Sequence, residues 1–241
     1  MTQKIIYVGT AGWAVPAKER DRFDAADSAL ARYASRFNAV EINTSFYRPH
    51  RLATYQRWAE SVPPAFRFAV KMPKSITHDT RLCDADDGLP AFIDQISGLG
   101  AKLGTILVQL PPSLEFAPQV ATKFFASLRR LYGGQVALEP RHASWFDDAA
   151  EQLLTEYEVA RVAADPVRVP AAALTGGWTG LRYYRLHGSP RTYFSAYSEE
   201  YLDRLGASLR AVKGETWCIF DNTGGGAAIG NALHLSERVA S

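Results

Sequence analysis

Short β-branched or aromatic runs recur along the chain, and most are followed by a stretch with apolar residues three and four apart. The runs are IIYVG (5–9), AVEIN (39–43), RFAVK (67–71), TILVQL (105–110), QVALE (135–139), VARVAAD (159–165), LRYYRLH (181–187) and TWCIFDN (216–222). Such runs read as strands, and the segments between them as amphipathic helices. Leu30, Tyr33, Ala34 and Phe37 form one helical stripe; Leu89, Phe92, Ile93, Ile96 and Leu99 form a second, closed by Gly98 or Gly100. Val120, Phe124, Leu128 and Leu131 form a third. Tyr201, Leu202, Leu205, Leu209 and Val212 form a fourth, with Ser198 placed to cap it and Glu199 and Glu200 suited to the helix dipole. Eight strands alternating with helices predict a single (β/α)8 TIM-barrel-like domain over residues 1–241. The rival, an open doubly wound sheet, lacks its G-x-G-x-x-G after the first strand. Residues 166–180, PVRVPAAALTGGWTG, show no stripe and predict an irregular sixth helix position.

In a barrel, alternate strand residues face the axis and the others face the helices. Val40 and Ile42 take the helix side, leaving Glu41 and Asn43 inside. Phe68 and Val70 likewise leave Ala69 and Lys71; Ile106 and Val108 leave Leu107 and Gln109; Val136 and Leu138 leave Glu139 and Arg141. Tyr184 and Leu186 leave Tyr183, Arg185 and His187. Strand six ends at Asp165 and strand eight at Asp221 or Asn222. The outcome is a polar ring at the C-terminal strand ends, where barrels of this type place catalytic residues. A purely structural account is also open, in which Glu41, Glu139 and Asp165 neutralise Lys71, Arg141 and Arg185 as a buried ion network.

Composition changes this picture little. With 47% apolar and 22% charged residues the chain is an ordinary globular protein. A net charge of +2 provides no global field for nucleic acid or membrane. No run approaches the ~18 apolar residues of a membrane span, and the N-terminus lacks a secretory apolar core. Cys83 and Cys218 fit no metal or redox spacing, which points to a reduced, cytoplasmic chain.

The loops above the ring carry more chemistry. Trp13, Phe46, Tyr47, Arg48, Lys74, Thr77, His78, His142, Trp145, Arg191 and Tyr193 interleave aromatics with cations, which suits a sugar ring or a nucleobase. Gly224, Gly225 and Gly226 lead into a helix after strand eight. There backbone N–H groups can bind phosphate, with Arg185 and Arg191 nearby. His78, His142 and His187 with Glu41, Glu139 and Asp165 could hold a divalent metal. Their spacing matches no compact motif, however, and three interior cations would repel the ion, so no cofactor is assigned.

The strings GTAGW, FNAVEINTSFYR, FAVKMPKSITHD, LGTILVQLPPSLEF, LEPRHASW, YYRLHG and IFDNTGGGAAIGNA occur in that order. Together they resemble the YecE-like family, a domain of unknown function, across essentially the whole chain. The resemblance implies a TIM-barrel-like fold and no activity. It marks Gly12, Trp13, Glu41, Asn43, Phe46, Tyr47, Lys71, His78, Gln109, Pro111, Pro112, Glu139, Arg141, His142, Trp145, Arg185, His187 and Asn222 as family positions. Many members carry two asparagines where this chain has Asp221 and Asn222, which adds an acid here.

Three functional readings follow. The first is an enzyme, an isomerase, lyase or hydrolase, acting on a small phosphorylated or otherwise anionic sugar-like substrate. Glu41 and Glu139 would be its acid and base, with Lys71 or His187 stabilising negative charge or Lys71 forming a Schiff base. Trp13, Asn43, Tyr47, His78, Gln109, Arg141, His142, Trp145, Asp165, Arg185 and Asn222 would contact the substrate. Gly224, Gly225, Gly226 and Arg191 would bind its phosphate. The second reading is nucleic-acid binding or phosphodiester cleavage, with or without a metal, through Arg48, Lys74, Arg141 and Arg191. The third is a non-catalytic small-molecule binder using the same pocket.

Overall fold

Parallel strands form on all eight runs. β1 (Ile5–Thr10), β2 (Ala39–Ile42), β3 (Arg67–Lys71), β4 (Leu103–Gln109) and β5 (Gln135–Glu139) occupy the first five. The sixth run divides into β6 (Val159–Arg161) and β7 (Ala163–Asp165); a two-residue β8 (Gly176–Gly177) precedes β9 (Leu181–Leu186) and β10 (Glu215–Phe220). The computed structural model describes residues 4–83 and 88–240. Around the strands run α1 (Ala29–Ala34), α2 (Leu52–Glu60), α3 (Gly88–Ile96), α4 (Pro118–Leu131), α5 (Asp148–Glu156), α6 (Glu199–Ala211) and α7 (Ala227–Ala240). Ser198 caps α6 as expected, its hydroxyl accepting from the Tyr201 N–H at 3.2 Å. Among the described residues, no helix is long and apolar enough to cross a membrane.

Two parallel runs of strands, β2-β3-β4-β5-β6 and β7-β9-β10-β1, meet at two seams and close a TIM-barrel-like fold. At one seam the sixth strand passes from β5 to β9 as it changes from β6 to β7. At the other, β1 meets β2 through a single bridge between Ala11 and Glu41. Side chains supplement that bridge. Asn38 donates to the Ile6 carbonyl at 2.8 Å and accepts from the Val8 N–H at 3.0 Å. The Tyr33 hydroxyl accepts from the Thr10 N–H at 2.8 Å and donates to the Ala39 carbonyl at 3.0 Å. Gly9 permits this approach, since a Cβ there would lie 2.2 Å from the Ala39 oxygen. Gly9→Ala is therefore expected to destabilise by at least about 1–3 kcal/mol, read as a lower urea midpoint with an unchanged slope.

The expected alternation holds on the second, third, fourth, fifth and seventh strand runs. Val40, Ile42, Phe68, Val70, Ile106, Val108, Val136 and Leu138 pack outward with Leu30, Phe37, Phe92, Phe124 and Leu209 of the helical layer. Ala39, Ala69, Leu107, Ala137 and Ala160 point inward against Tyr7, Tyr183, Trp217 and Ile219. Small residues on β2, β3, β5 and β6 thus face large ones on β1, β9 and β10, and the two sets together make one apolar cluster inside the barrel. Tyr183 stacks on Trp217 with ring centroids 6.0 Å apart. The apolar plug is the floor on which the charged strand ends rest.

The sixth helix position is irregular, as its sequence predicts. A 3-10 turn (Pro170–Ala173) and β8, antiparallel to β6, take the place of a helix. Arg161 holds this connection down. Its guanidinium pairs with Glu151, donates to the Ala171 and Leu174 carbonyls at 3.1 and 3.0 Å, and lies over the Phe146 ring. Glu151 in turn accepts from the Gly177 N–H.

Candidate active site

At the C-terminal end of β9, Arg185 is fully buried and binds three carboxylates from three other strand ends. Its Nε and Nη2 meet Glu41 at 3.0 and 2.7 Å, Nη1 meets Glu139 at 2.6 Å, and Nη2 also meets Asp221 at 3.1 Å. The Tyr183 hydroxyl donates to Glu41 at 2.9 Å, and the Gln109 amide donates to Glu139 at 2.9 Å. His187 lies between two of the acids, with Nδ1 3.0 Å from Asp221 and Nε2 2.9 Å from Glu139. A carboxylate against each ring nitrogen favours the doubly protonated imidazolium. Burial alone would lower the His187 pKa, but the Glu139 charge and the hydrogen bonds to Asp221 and Glu139 outweigh it, and the pKa rises.

These contacts also fix Glu139 and Asp221 as anions. Burial alone would raise the Glu139 pKa, yet Arg185, His187 and Arg141 hold it well below the usual carboxylate range. Asp221 is lowered in the same way by Arg185 and the His187 hydrogen bond. Lys71 differs. Its ammonium sits 4.0 Å from the centre of the Phe46 ring and has no carboxylate within ion-pair distance among the described residues. Burial and the charge of Arg185 outweigh the attraction of Glu41, Asp221 and Glu139 and bring its pKa down to about 8. His78 stands edge-on to Phe46 at 4.9 Å, and burial with the Lys71 and Arg141 charges lowers its pKa.

A cavity of about 380 Å³ opens beside the His187–Glu139 pair, walled by Arg141, Phe146, Ala164, Arg168, Thr192 and Tyr193 and by residues of the irregular sixth connection. Arg141 contacts Glu139 at 3.3 Å and the Tyr193 hydroxyl at 3.5 Å. A second, more apolar cavity of about 640 Å³ lies across the barrel mouth, where Trp13, Asn43, Tyr47 and Gly226 come together with Val15 and Ile229.

Residues 7–241 match the family described as a protein of unknown function, DUF72. The chain belongs to the DUF72 family. It is 31% identical to the UPF0759 protein YecE of Escherichia coli (strain K12) over 149 residues, 61% of this chain and 53% of that relative, in line with the YecE-like strings of the sequence. The chain spans about half the length of the curated relatives it matches. A solved DUF72 family protein of Thermotoga maritima MSB8 is 26% identical, with a TM-score of 0.79 covering 98% of this chain and all of that one. An L-ribulose 3-epimerase shares the fold at a TM-score of 0.51 and 13% identity, covering 98% of this chain and 97% of that one.

Several residues that the sequence nominates in this DUF72 chain do other work. Trp145 is buried, donates from its indole to the Leu114 carbonyl at 3.0 Å and packs on Phe116. It belongs to the core, not to a ligand. His142 caps the turn Ala143–Phe146, accepting from the Ser144 N–H at 3.3 Å. Asp165 faces outward, because the inward positions of its strand are Ala160, Val162 and Ala164, and it accepts from the Tyr197 hydroxyl at 2.8 Å. Asn222 is buried and ties the Ser195 carbonyl to Asn231, each at 2.9 Å. Two amides of the glycine run are already engaged, Gly224 N–H donating to the Tyr193 carbonyl and Gly226 N–H to that of Thr223, while Gly225 N–H has no acceptor among the described residues. Arg191 stacks on Phe194 at 4.1 Å, outside the cavity.

Asp221 takes the inward place that the sequence left open between it and Asn222. Counting from inward Trp217 and Ile219 past outward Cys218 and Phe220 would have found it. Arg168, Phe146 and Thr192 carried no such signal. Among the described residues no group of three His, Cys, Asp or Glu has ligating geometry, and Glu41, Glu139 and Asp221 converge on a guanidinium instead.

Proposed function

We propose that this chain is an enzyme that moves a proton on a small, anionic, sugar-like substrate held in the 380 Å³ cavity beside His187. The observation that carries the reading is the His187–Glu139 pair on a preorganised charged floor, opening directly onto a cavity of ligand size. Phe146 and Tyr193 offer flat walls to a sugar ring, while Arg141 and Arg168 favour negative charge.

The roles differ from those drawn from residue types alone. Glu41 is held by Arg185 and Tyr183, and Glu139 accepts from Arg185, Gln109, His187 and Arg141. So many donors make Glu139 a poor proton acceptor. We assign the proton transfer to Lys71, which lies over the Phe46 ring outside the walls of that cavity, so the substrate must extend from the cavity across the charged floor towards it. Its pKa of about 8 lies near working pH, where general catalysis is most effective. His187, protonated and fixed by two acids, stabilises charge that develops on a substrate oxygen. The carboxylates set this field without exchanging protons.

Deuterium exchange tests the assignment directly. Wild-type protein incubated in heavy water with aldose phosphates, ketose phosphates and sugar acids is expected to wash deuterium into, or convert, one of them, followed by proton NMR. Lys71→Met should slow that exchange by roughly 10²–10⁴. No exchange or conversion across the panel, or an undiminished rate in Lys71→Met, overturns the reading.

A further inference from the structure

The cavity has an uneven charge. Its walls include Arg141, Arg168, His187 and Glu139, and the one acid is already matched within the floor by Arg185 at 2.6 Å and His187 at 2.9 Å. Arg168 makes no side-chain hydrogen bond or ion pair among the described residues. Arg141 meets Glu139 only at 3.3 and 3.4 Å, and its Nη1 has no partner among them. Two guanidiniums from the fifth and sixth loops therefore border one cavity with surplus positive charge. Neither is loosely placed. Arg141 follows the end of β5, and the segment after Arg168 is pinned by Arg161 through the Ala171 and Leu174 carbonyls.

We infer that Arg141 and Arg168 form a clamp for a phosphoryl group at the rim of this cavity, which makes the substrate a phosphate ester. The inference rests on the reading of the cavity as the substrate site. Arg168, without a partner among the described residues, and Arg141, which shares Glu139 with Arg185 and His187, together suit a group that carries about −1.5 to −2 at neutral pH better than the single charge of a carboxylate. Planar guanidinium forks also suit phosphoryl oxygens, and the Thr192 and Tyr193 hydroxyls on the same wall can add donors. The clamp lies on the fifth and sixth loops, away from the glycine run after β10 whose amides are already partly bonded. Anchored there, the ester directs its sugar towards His187.

Isothermal titration without turnover tests the clamp, using inorganic phosphate, a pentose phosphate and gluconate as a carboxylate probe. The phosphate probes are expected to bind wild-type protein, and the pentose phosphate more tightly. Arg168→Gln, a change at an exposed side chain that leaves the fold intact, should weaken both by about tenfold or more. Arg191→Gln should leave affinity within about twofold of wild type. Absence of phosphate binding, tighter binding of gluconate than of the pentose phosphate, or a loss carried by Arg191→Gln in place of Arg168→Gln overturns the clamp. Deuterium exchange into an uncharged sugar alongside such a result would leave the proton-transfer reading standing.

Discussion

Lys71→Met is expected to yield a protein more stable than the wild type and nearly inactive. The folded-state pKa of Lys71 falls from 10.5 to about 8, so folding disfavours its proton. Each pKa unit corresponds to about 1.4 kcal/mol, which makes the ammonium a liability of about 3 kcal/mol at neutral pH. Methionine keeps the apolar stem over Phe46 and removes the charge. The sign with pH follows from linkage. Between about 8 and 10.5 the unfolded chain holds the proton and the folded one does not, so wild-type stability rises with pH across that window. The advantage of the variant should be full below about pH 8 and vanish above about 10.5, as urea titrations at neutral and alkaline pH would show. A variant less stable at neutral pH would mean that attraction to Glu41, Asp221 and Glu139 dominates after all.

Arg185→Met is expected to do the opposite. Removing one partner of a buried pair costs about 3–5 kcal/mol, and here one guanidinium is shared by three acids, so the loss should exceed that range. The sharper outcome is an inverted acid limb. In the wild type Glu139 and Asp221 have depressed pKa values, and the stability they contribute is lost only as pH falls through those values. Between about pH 6 and 5 the wild type should be nearly flat, with His187 largely protonated in both states and Glu139 and Asp221 largely ionised in both. Without Arg185 the buried acids take up protons more readily folded than unfolded, so the variant should gain stability as pH falls through the same window. Thermal melts across it decide the matter, and a variant that tracks the wild type would falsify the assignment of Arg185 as their shared counter-ion.

The barrel and its charged floor were legible because period two is a local signal. Once the apolar residues of a strand face the helices, Glu41, Lys71, Glu139, Arg185 and His187 have only the interior left to them. Parity failed where a strand's end was counted by position instead of by alternation, which placed Asp165 inside in the position that belongs to Ala164. The cavity was not legible. Its walls come from the fifth, sixth and seventh loops, and the sixth takes its path from the Arg161–Glu151 pair, a contact between segments with no shared pattern. The glycine run was legible only in part, for a related reason. Glycine reports a permissive backbone, but whether its amides are free depends on what packs above them, here the loop at Tyr193 and Phe194. Trp145 misled because an aromatic near a strand end fits the core as well as a ligand.

The two seams of the barrel give Arg185 a mechanical meaning as well. The half containing β7, β9, β10 and β1 brings Arg185, His187 and Asp221, and so carries excess positive charge. The half from β2 to β6 brings Glu41, Glu139, Lys71 and, just beyond β5, Arg141, and it holds the two acids that Arg185 reaches across the divide. Each half-barrel holds part of its own counter-charge, Asp221 in one and Arg141 in the other, but Arg185 also reaches Glu41 and Glu139 across the divide, and hydrogen-bonded pairing between the halves is thin at the Ala11–Glu41 bridge. Arg185 is the keystone of an arch: it joins acids from both halves, and the charged floor exists only where the two halves meet on it.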